Sequence, residues 1–130
     1  MYFFELLRLL GEKDSTKPEA NNHLPKAMQE ILNYVDENYT DIRFIEEIAD
    51  KFHISTPTLN RWFREYVHLP PSKLISAKKL AYAEKLLRGD ISVADVCYMA
   101  GFTDCSRFIS LFKRKYGLTP LQYKKEYSNR

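Results

Sequence analysis

Arginine, asparagine and serine side chains recur at helical spacing in two separate parts of this chain. Pro57, Asn60, Arg61 and Arg64 form the first set, and Ser106, Arg107, Ser110 and Arg114 form the second. Each set lies opposite an apolar stripe, Leu59, Trp62, Phe63 and Tyr66 in one case and Phe108, Leu111 and Phe112 in the other. The guanidinium of Arg61 or Arg107 presents a planar fork of donors that matches O6 and N7 of guanine, and the amide of Asn60 matches the adenine edge. Ser106 and Ser110 can donate to or accept from either kind of base, whereas Pro57 offers apolar contact only. Ile109 aligns with Asn60 and has two open readings, packing in the core or touching a thymine methyl. Around these residues stand groups suited to phosphate: Arg64, Lys73, Lys113, Arg114 and Lys115 by charge, and the helix starts near Ser72 and Thr119 by their backbone N–H groups.

Other chemistries find little support. No nucleophile–base pair, phosphate-cradling glycine loop or metal-ligand spacing is evident, so no enzyme, cofactor or metal site is expected. His23, His53 and His68 are scattered. Two cysteines make no disulfide framework, so Cys97 is read as a small core residue and Cys105 as a thiol opening a helix, in a reduced cytoplasmic setting.

The elements that would position these residues follow from periodicity and punctuation. Pro25 can open a helix whose apolar face is Met28, Ile31, Leu32 and Val35. Ile45, Ile48, Ala49 and Phe52 mark a short helix with a poorly capped start at Arg43 and Phe44. Ser55 caps the helix over 56–66, and His68 to Pro71 ends it. A longer helix over 72–88 begins with Ser72 as cap and buries Ile75, the stem of Lys79, Ala83, Leu86 and Leu87. Ser92 and Asp95 form a capping-box-like pair ahead of Val93, Val96, Cys97 and Ala100. Gly101 supplies a turn at positive φ, Asp104 caps the helix over 105–116, Gly117 ends it, and Thr119-Pro120 opens a last short helix. Lys124, Lys125 and Arg130 read as a solvated tail.

The hydrophobic share of 45% supports a packed core, and 4 glycines argue against a turn-rich β architecture. No apolar run is long enough to span a membrane, and the start has no secretory leader pattern. Charge divides unevenly. Residues 1–54 hold 6 Lys+Arg and 11 Asp+Glu, a net of −5, and residues 55–130 hold 14 and 6, a net of +8. A basic C-terminal part suits an anionic partner such as nucleic acid.

The two sets belong to an internal repeat. A shift of 48 aligns Ile45, Ile48 and Ala49 with Val93, Val96 and Cys97. A one-residue insertion in the second turn changes the shift to 49, which aligns Leu59, Phe63 and Pro71 with Phe108, Phe112 and Pro120. The blocks VADVCYMAGFTDCSRFISLFKRKYGLTPLQYK and IEEIADKFHISTPTLNRWFREY resemble the C-terminal DNA-binding domain of the AraC/XylS family of bacterial transcription regulators, over about Lys26 to Glu126. The resemblance implies an all-α protein of about seven helices. Two helix-turn-helix units, 25–71 and 89–130, would be joined by the connecting helix 72–88. It implies that the helices over 56–66 and 105–116 enter successive major grooves of promoter DNA. Asn60, Arg61, Ser106, Arg107 and Ser110 match base-contacting positions of relatives. Activation through RNA polymerase at the bacterial nucleoid is the family tendency. His53 and His68 stand where relatives commonly have Gly, so either both take left-handed backbone or their turns differ slightly, and Lys79 stands where Arg is usual. Residues 1–24 are expected to be an N-terminal helix and linker left from a sensor and dimerisation domain, with segment 2–10 a homodimer contact. The competing expectation from another class is a protein-interaction module built on the same helices.

Overall fold

The computed structural model describes residues 24–128, so the expectations for segment 2–10, the rest of 1–23 and Arg130 lie outside the described residues. Seven α-helices are present among these residues: α1 (Lys26–Asn38), α2 (Ile45–Lys51), α3 (Thr56–Tyr66), α4 (Pro71–Leu87), α5 (Val93–Met99), α6 (Cys105–Tyr116) and α7 (Pro120–Ser128). A 3-10 turn, Tyr39–Asp41, links α1 to α2. The fold is all-α, as expected. From Tyr34 onward the chain forms one compact unit. The long helix α4 is its axis and packs against the 3-10 turn, α3, α5, α6 and α7.

Local chemistry explains the boundaries. Ser55 Oγ accepts from the Thr58 N–H at 3.2 Å, and Asp104 caps α6 by accepting from the Arg107 N–H at 3.2 Å. Ser92 accepts from the Asp95 N–H at 3.2 Å, which is one half of the expected capping pair. The start of α2 is better held than its sequence suggests: the Glu47 carboxylate accepts from the N–H groups of Arg43 and Phe44 at 3.2 and 3.0 Å. Thr119 and Gln122 close a reciprocal box at the start of α7, at 3.0 and 3.1 Å. The connecting helix differs by one residue from the expected 72–88. It starts at Pro71, with Pro70 in the cap position, and ends at Leu87, so Ser72 is the second helical residue and not the cap. Proline at the first helical position costs nothing because its missing N–H would be unpaired there.

Four of the described residues take positive φ. His53 and His68 take φ of 58° and 62°, which decides between the two alternatives in favour of the left-handed conformation at both. Gly101 has φ of 100°, and Gly117 has φ of 83° and ends α6.

The core of the second repeat gathers Leu80, Ala83 and Leu87 of α4 with Val96, Cys97 and Ala100 of α5, Phe102, and Phe108 and Phe112 of α6. Ring contacts run through it: Phe102 to Phe108 at 4.9 Å, Phe108 to Phe112 at 5.9 Å, and Phe112 to Tyr116 and Tyr123 at 4.5 and 5.5 Å. In the first repeat Ile42, Ile48, Ala49, Leu59, Phe63 and Ile75 are buried. Trp62, Tyr66 and Leu111, expected inside, are only half-buried at the edges of their stripes.

Two expectations are corrected here. Cys97 and Cys105 are not free thiols: they form a disulfide, with their Cα atoms 5.9 Å apart. Cys97 does occupy the small core position, fully buried. The turn after Gly101, however, brings the first residue of α6 over α5, an approach that sequence spacing alone does not reveal. Of the two readings open for Ile109, packing in the core is set aside: the side chain is 39% exposed, because the α6 stripe falls on Phe108 and Phe112. Lys124 is no free tail, since its ammonium donates to the Gly89 carbonyl at 2.8 Å beyond the end of α4.

A Cβ added at Gly101 would lie 2.5 Å from the Thr40 carbonyl oxygen, whereas one added at Gly117 meets nothing within 4 Å. Gly117→Ala should therefore cost about 1 kcal/mol of strain alone, and Gly101→Ala clearly more. Denaturant midpoints compare them, and equal losses would contradict the packing at Thr40. The disulfide closes a loop of sequence separation 8. Chain entropy assigns such a loop roughly 2–3 kcal/mol. Cys105→Ser, or reduction by dithiothreitol, should lower the midpoint accordingly, and an unchanged midpoint with two titratable thiols would show that the bond does not form.

Candidate nucleic-acid interface

The two repeats present their polar sets on helices of matching length and position. On α3, Leu59 and Phe63 face inward, Pro57, Arg61 and Arg64 are exposed, and Asn60 is half-buried. On α6, Phe108 and Phe112 face inward, while Ser106, Arg107, Ile109, Ser110, Lys113, Arg114 and Lys115 are exposed. Both helices span the expected ranges. Each begins at a side-chain cap that fixes where its exposed face starts, Ser55 for α3 and Asp104 for α6.

The remaining candidates are distributed differently. Ser72 and Lys73 are exposed in the first turn of α4. Ser72 and Arg107 line one cleft of about 370 Å³, together with Arg43, Ser76, Lys79 and Thr103. The structure thus joins a connector residue to a residue of α6. Arg43, at the mouth of α2, is a cation of this cleft that the sequence reading passed over, because its place in a loop gave no helical spacing to flag it. The Thr119 N–H is engaged by Gln122, so α7 offers less free backbone donor than its start suggests. The Lys115 ammonium lies 5.5 Å from the Tyr116 ring centroid, which draws it along its own helix.

At the floor of the cleft sits Lys79. It was expected to bury its stem, and it buries its charge as well: the side chain is 7% exposed. Its ammonium donates to the carbonyls of Ile42 at 2.8 Å and Gly101 at 2.9 Å, and lies 5.7 Å from the Phe102 ring centroid. Burial pushes its pKa below the ordinary lysine value, opposed by the charge of Glu47.

A second charged group braces α4 against α7. Glu84, nearly buried, accepts from the guanidinium of Arg88 at 2.7–3.0 Å and from the hydroxyl of Tyr123. The Glu84 hydrogen bond raises the Arg88 pKa, and burial with the same carboxylate raises that of Tyr123. Burial pushes Tyr116 up to about 12. These hydroxyls stay neutral, and Tyr123 acts as a donor that ties α7, and with it the end of α6, to the connector.

Known proteins share this arrangement. The helix-turn-helix domain family matches residues 48–126, more than half of the chain. The HTH-type transcriptional activator RhaS of Citrobacter koseri is 33% identical over 119 residues, 91% of this chain and 42% of RhaS. RhaS of Klebsiella pneumoniae is 32% identical over the same shares. The chain therefore spans less than half the length of these curated relatives. Among solved structures, the C-terminal domain of the two-component response regulator yesN from Fusobacterium nucleatum has a TM-score of 0.72 at 27% identity, covering 77% of this chain and 99% of that one. The DNA-binding domain of AdpA, solved in complex with a target DNA, has a TM-score of 0.74 at 24% identity, covering 82% and 96%, and shows likeness of fold.

Proposed function

The chain belongs to the AraC/XylS family of helix-turn-helix transcription regulators, DNA-binding proteins and not enzymes, and from that premise we propose that it reads promoter DNA with two helices at once. The observation that carries this reading is the repeated design of α3 and α6. Each has a capped start, an apolar inner stripe and an exposed polar or cationic face, and both are held on α4. On this reading the N-terminal halves of α3 and α6 enter successive major grooves about one helical turn apart. Asn60 and Arg61 read bases from α3, with Pro57 in apolar contact, and Ser106, Arg107 and Ser110 read them from α6. Exposure of Ile109 favours contact with a thymine methyl. Arg64, Lys73, Lys113, Arg114 and Lys115 neutralise phosphates, helped by the backbone N–H of Ser72 at the start of α4, while Thr119, its N–H engaged by Gln122, has only its hydroxyl to offer. The net of +8 over residues 55–130 supplies the electrostatic part. RhaS carries the name of an activator, and we assign activation to this chain too, through contact with RNA polymerase in the bacterial cytoplasm, with segment 2–10 as the contact between two copies.

Selection from a random duplex pool, followed by titration over a salt series, tests the reading. Retained duplexes should share two motifs one turn apart, and log affinity should fall linearly with log salt, with a slope near −0.9 per neutralised phosphate. Arg107→Ala should cost about 1–3 kcal/mol and relax preference at one base position. Equal loss on every duplex would make Arg107 a phosphate contact. No retention even at low salt would leave the helices as a protein-interaction module.

A further inference from the structure

We propose that Lys79 is the positioning residue that sets the spacing between the two half-sites this protein reads. The inference rests on the tandem reading above and concerns a residue with no place on either exposed face.

Lys79 lies near the middle of α4, and its ammonium reaches both repeats. The Ile42 carbonyl, 37 residues upstream, closes the approach to α2 of the first repeat. The Gly101 carbonyl, 22 residues downstream, belongs to the turn between α5 and α6 of the second. Two of three ammonium protons are thereby committed, and the remaining positive face lies toward the Phe102 ring. The same spot is where the two repeats meet backbone to backbone. Gly101 approaches Thr40 so closely that a Cβ would lie 2.5–2.9 Å from Thr40 backbone atoms. The entry to α2 and the turn before α6 are thus held at one point by one cation. Because α3 follows α2 and α6 follows that turn, the tie fixes the offset of one recognition helix from the other.

A group that sets an offset affects binding differently from one that touches DNA. Inserting one base pair between half-sites shifts them by about 3.4 Å and rotates them by roughly 34°. A rigid pair of readers penalises that mismatch, and a loosened pair tolerates it. Without the ammonium, the carbonyls of Ile42 and Gly101 lose their shared donor and the repeats can shift against each other. Each repeat's own base preference stays as it was.

The experiment uses the full chain and a duplex selected from a random pool by the wild type, with derivatives carrying one inserted base pair between the half-sites and derivatives with either half-site scrambled. The wild type should bind the selected duplex at least tenfold more tightly than the insertion. Lys79→Met should lose at least tenfold on the selected duplex, bring the spacing ratio below threefold, and keep the wild-type base preference within each half-site. Lys79→Arg, which keeps a cation with several donors, should keep the wild-type ratio. Lys79→Gln, which retains a neutral donor, gives the same comparison in a milder variant should Lys79→Met fail to fold, with an intermediate ratio expected. A folded Met or Gln variant with the wild-type ratio, or with equal losses on intact and half-scrambled duplexes, overturns the role of Lys79 alone. Failure of the wild type to select any duplex overturns the tandem reading beneath it.

Discussion

A buried ammonium group joins the two repeats of this protein. Removing the charge of Lys79 from water costs several kcal/mol after relaxation, roughly, so its site must return strong, well-placed acceptors. Helix α4 cannot supply them, because the carbonyls of a helix interior are consumed by its own ladder. They come from Ile42 and Gly101, one on each side of the connector. The requirement then spreads outward. The chain must leave the 3-10 turn with the Ile42 carbonyl inward, and it must pass through positive φ at residue 101, where a side chain would strike Thr40. Lysine, glycine and turn are therefore one device. The depressed Lys79 pKa is the cost of that burial seen from the proton's side, and Glu47, which also caps α2, partly offsets it.

The second repeat is tied at both ends of its exposed helix. At the start of α6, Cys105 is bonded to Cys97 of α5. Near its end, Phe112 meets Tyr123 edge-to-face and Tyr116 meets it tilted, and the Tyr123 hydroxyl is held by Glu84 of α4. Glu84 in turn takes the Arg88 guanidinium, and Lys124 reaches the Gly89 carbonyl just past α4. Buried polar groups of this kind are tolerated only when satisfied. Their effect is to make α7 a strut between the connector and α6, so that the exposed face of α6 is presented by a rigid support.

Much of this architecture is legible in the sequence, because most of it rests on local rules. Apolar spacing at 3.6 residues, Ser55, Asp104 and Gly117 as punctuation, and the 48-to-49 shift of the repeat act within a few residues of where they are written. The missed features act across the chain. Lys79 reads as a surface-type residue with a useful stem until carbonyls 37 and 22 residues away turn out to surround it. Glu84 and Tyr123 are 39 residues apart, and neither has a local pattern that announces the other. Cys97 and Cys105 have no motif spacing, and only the turn at Gly101 folds one over the other. For Ile109 the sequence leaves two readings open, because it stands beside a core phenylalanine, and a single step of 100° around the helix carries it to the solvent side. The exposed polar candidates were legible as a face, while the cleft that joins Ser72 and Arg107 required the tertiary structure.

The differences between the repeats bear on what kind of site such a protein reads. A symmetric dimer reads a palindrome because its two readers are identical. Here the readers share a plan and differ in chemistry. The α3 face offers an amide, two guanidinium groups and a proline, and the α6 face offers two hydroxyls, an arginine, an exposed isoleucine and a basic last turn. On the proposed reading these faces prefer different bases, so the two half-sites are unlike and the site has a direction. A single chain with two fixed, unlike readers therefore binds in one orientation, and a regulator that must present one surface toward a promoter needs that property. The direction comes from divergence of the two faces, and the orientation is kept only because α4 and its buried lysine prevent the readers from moving independently.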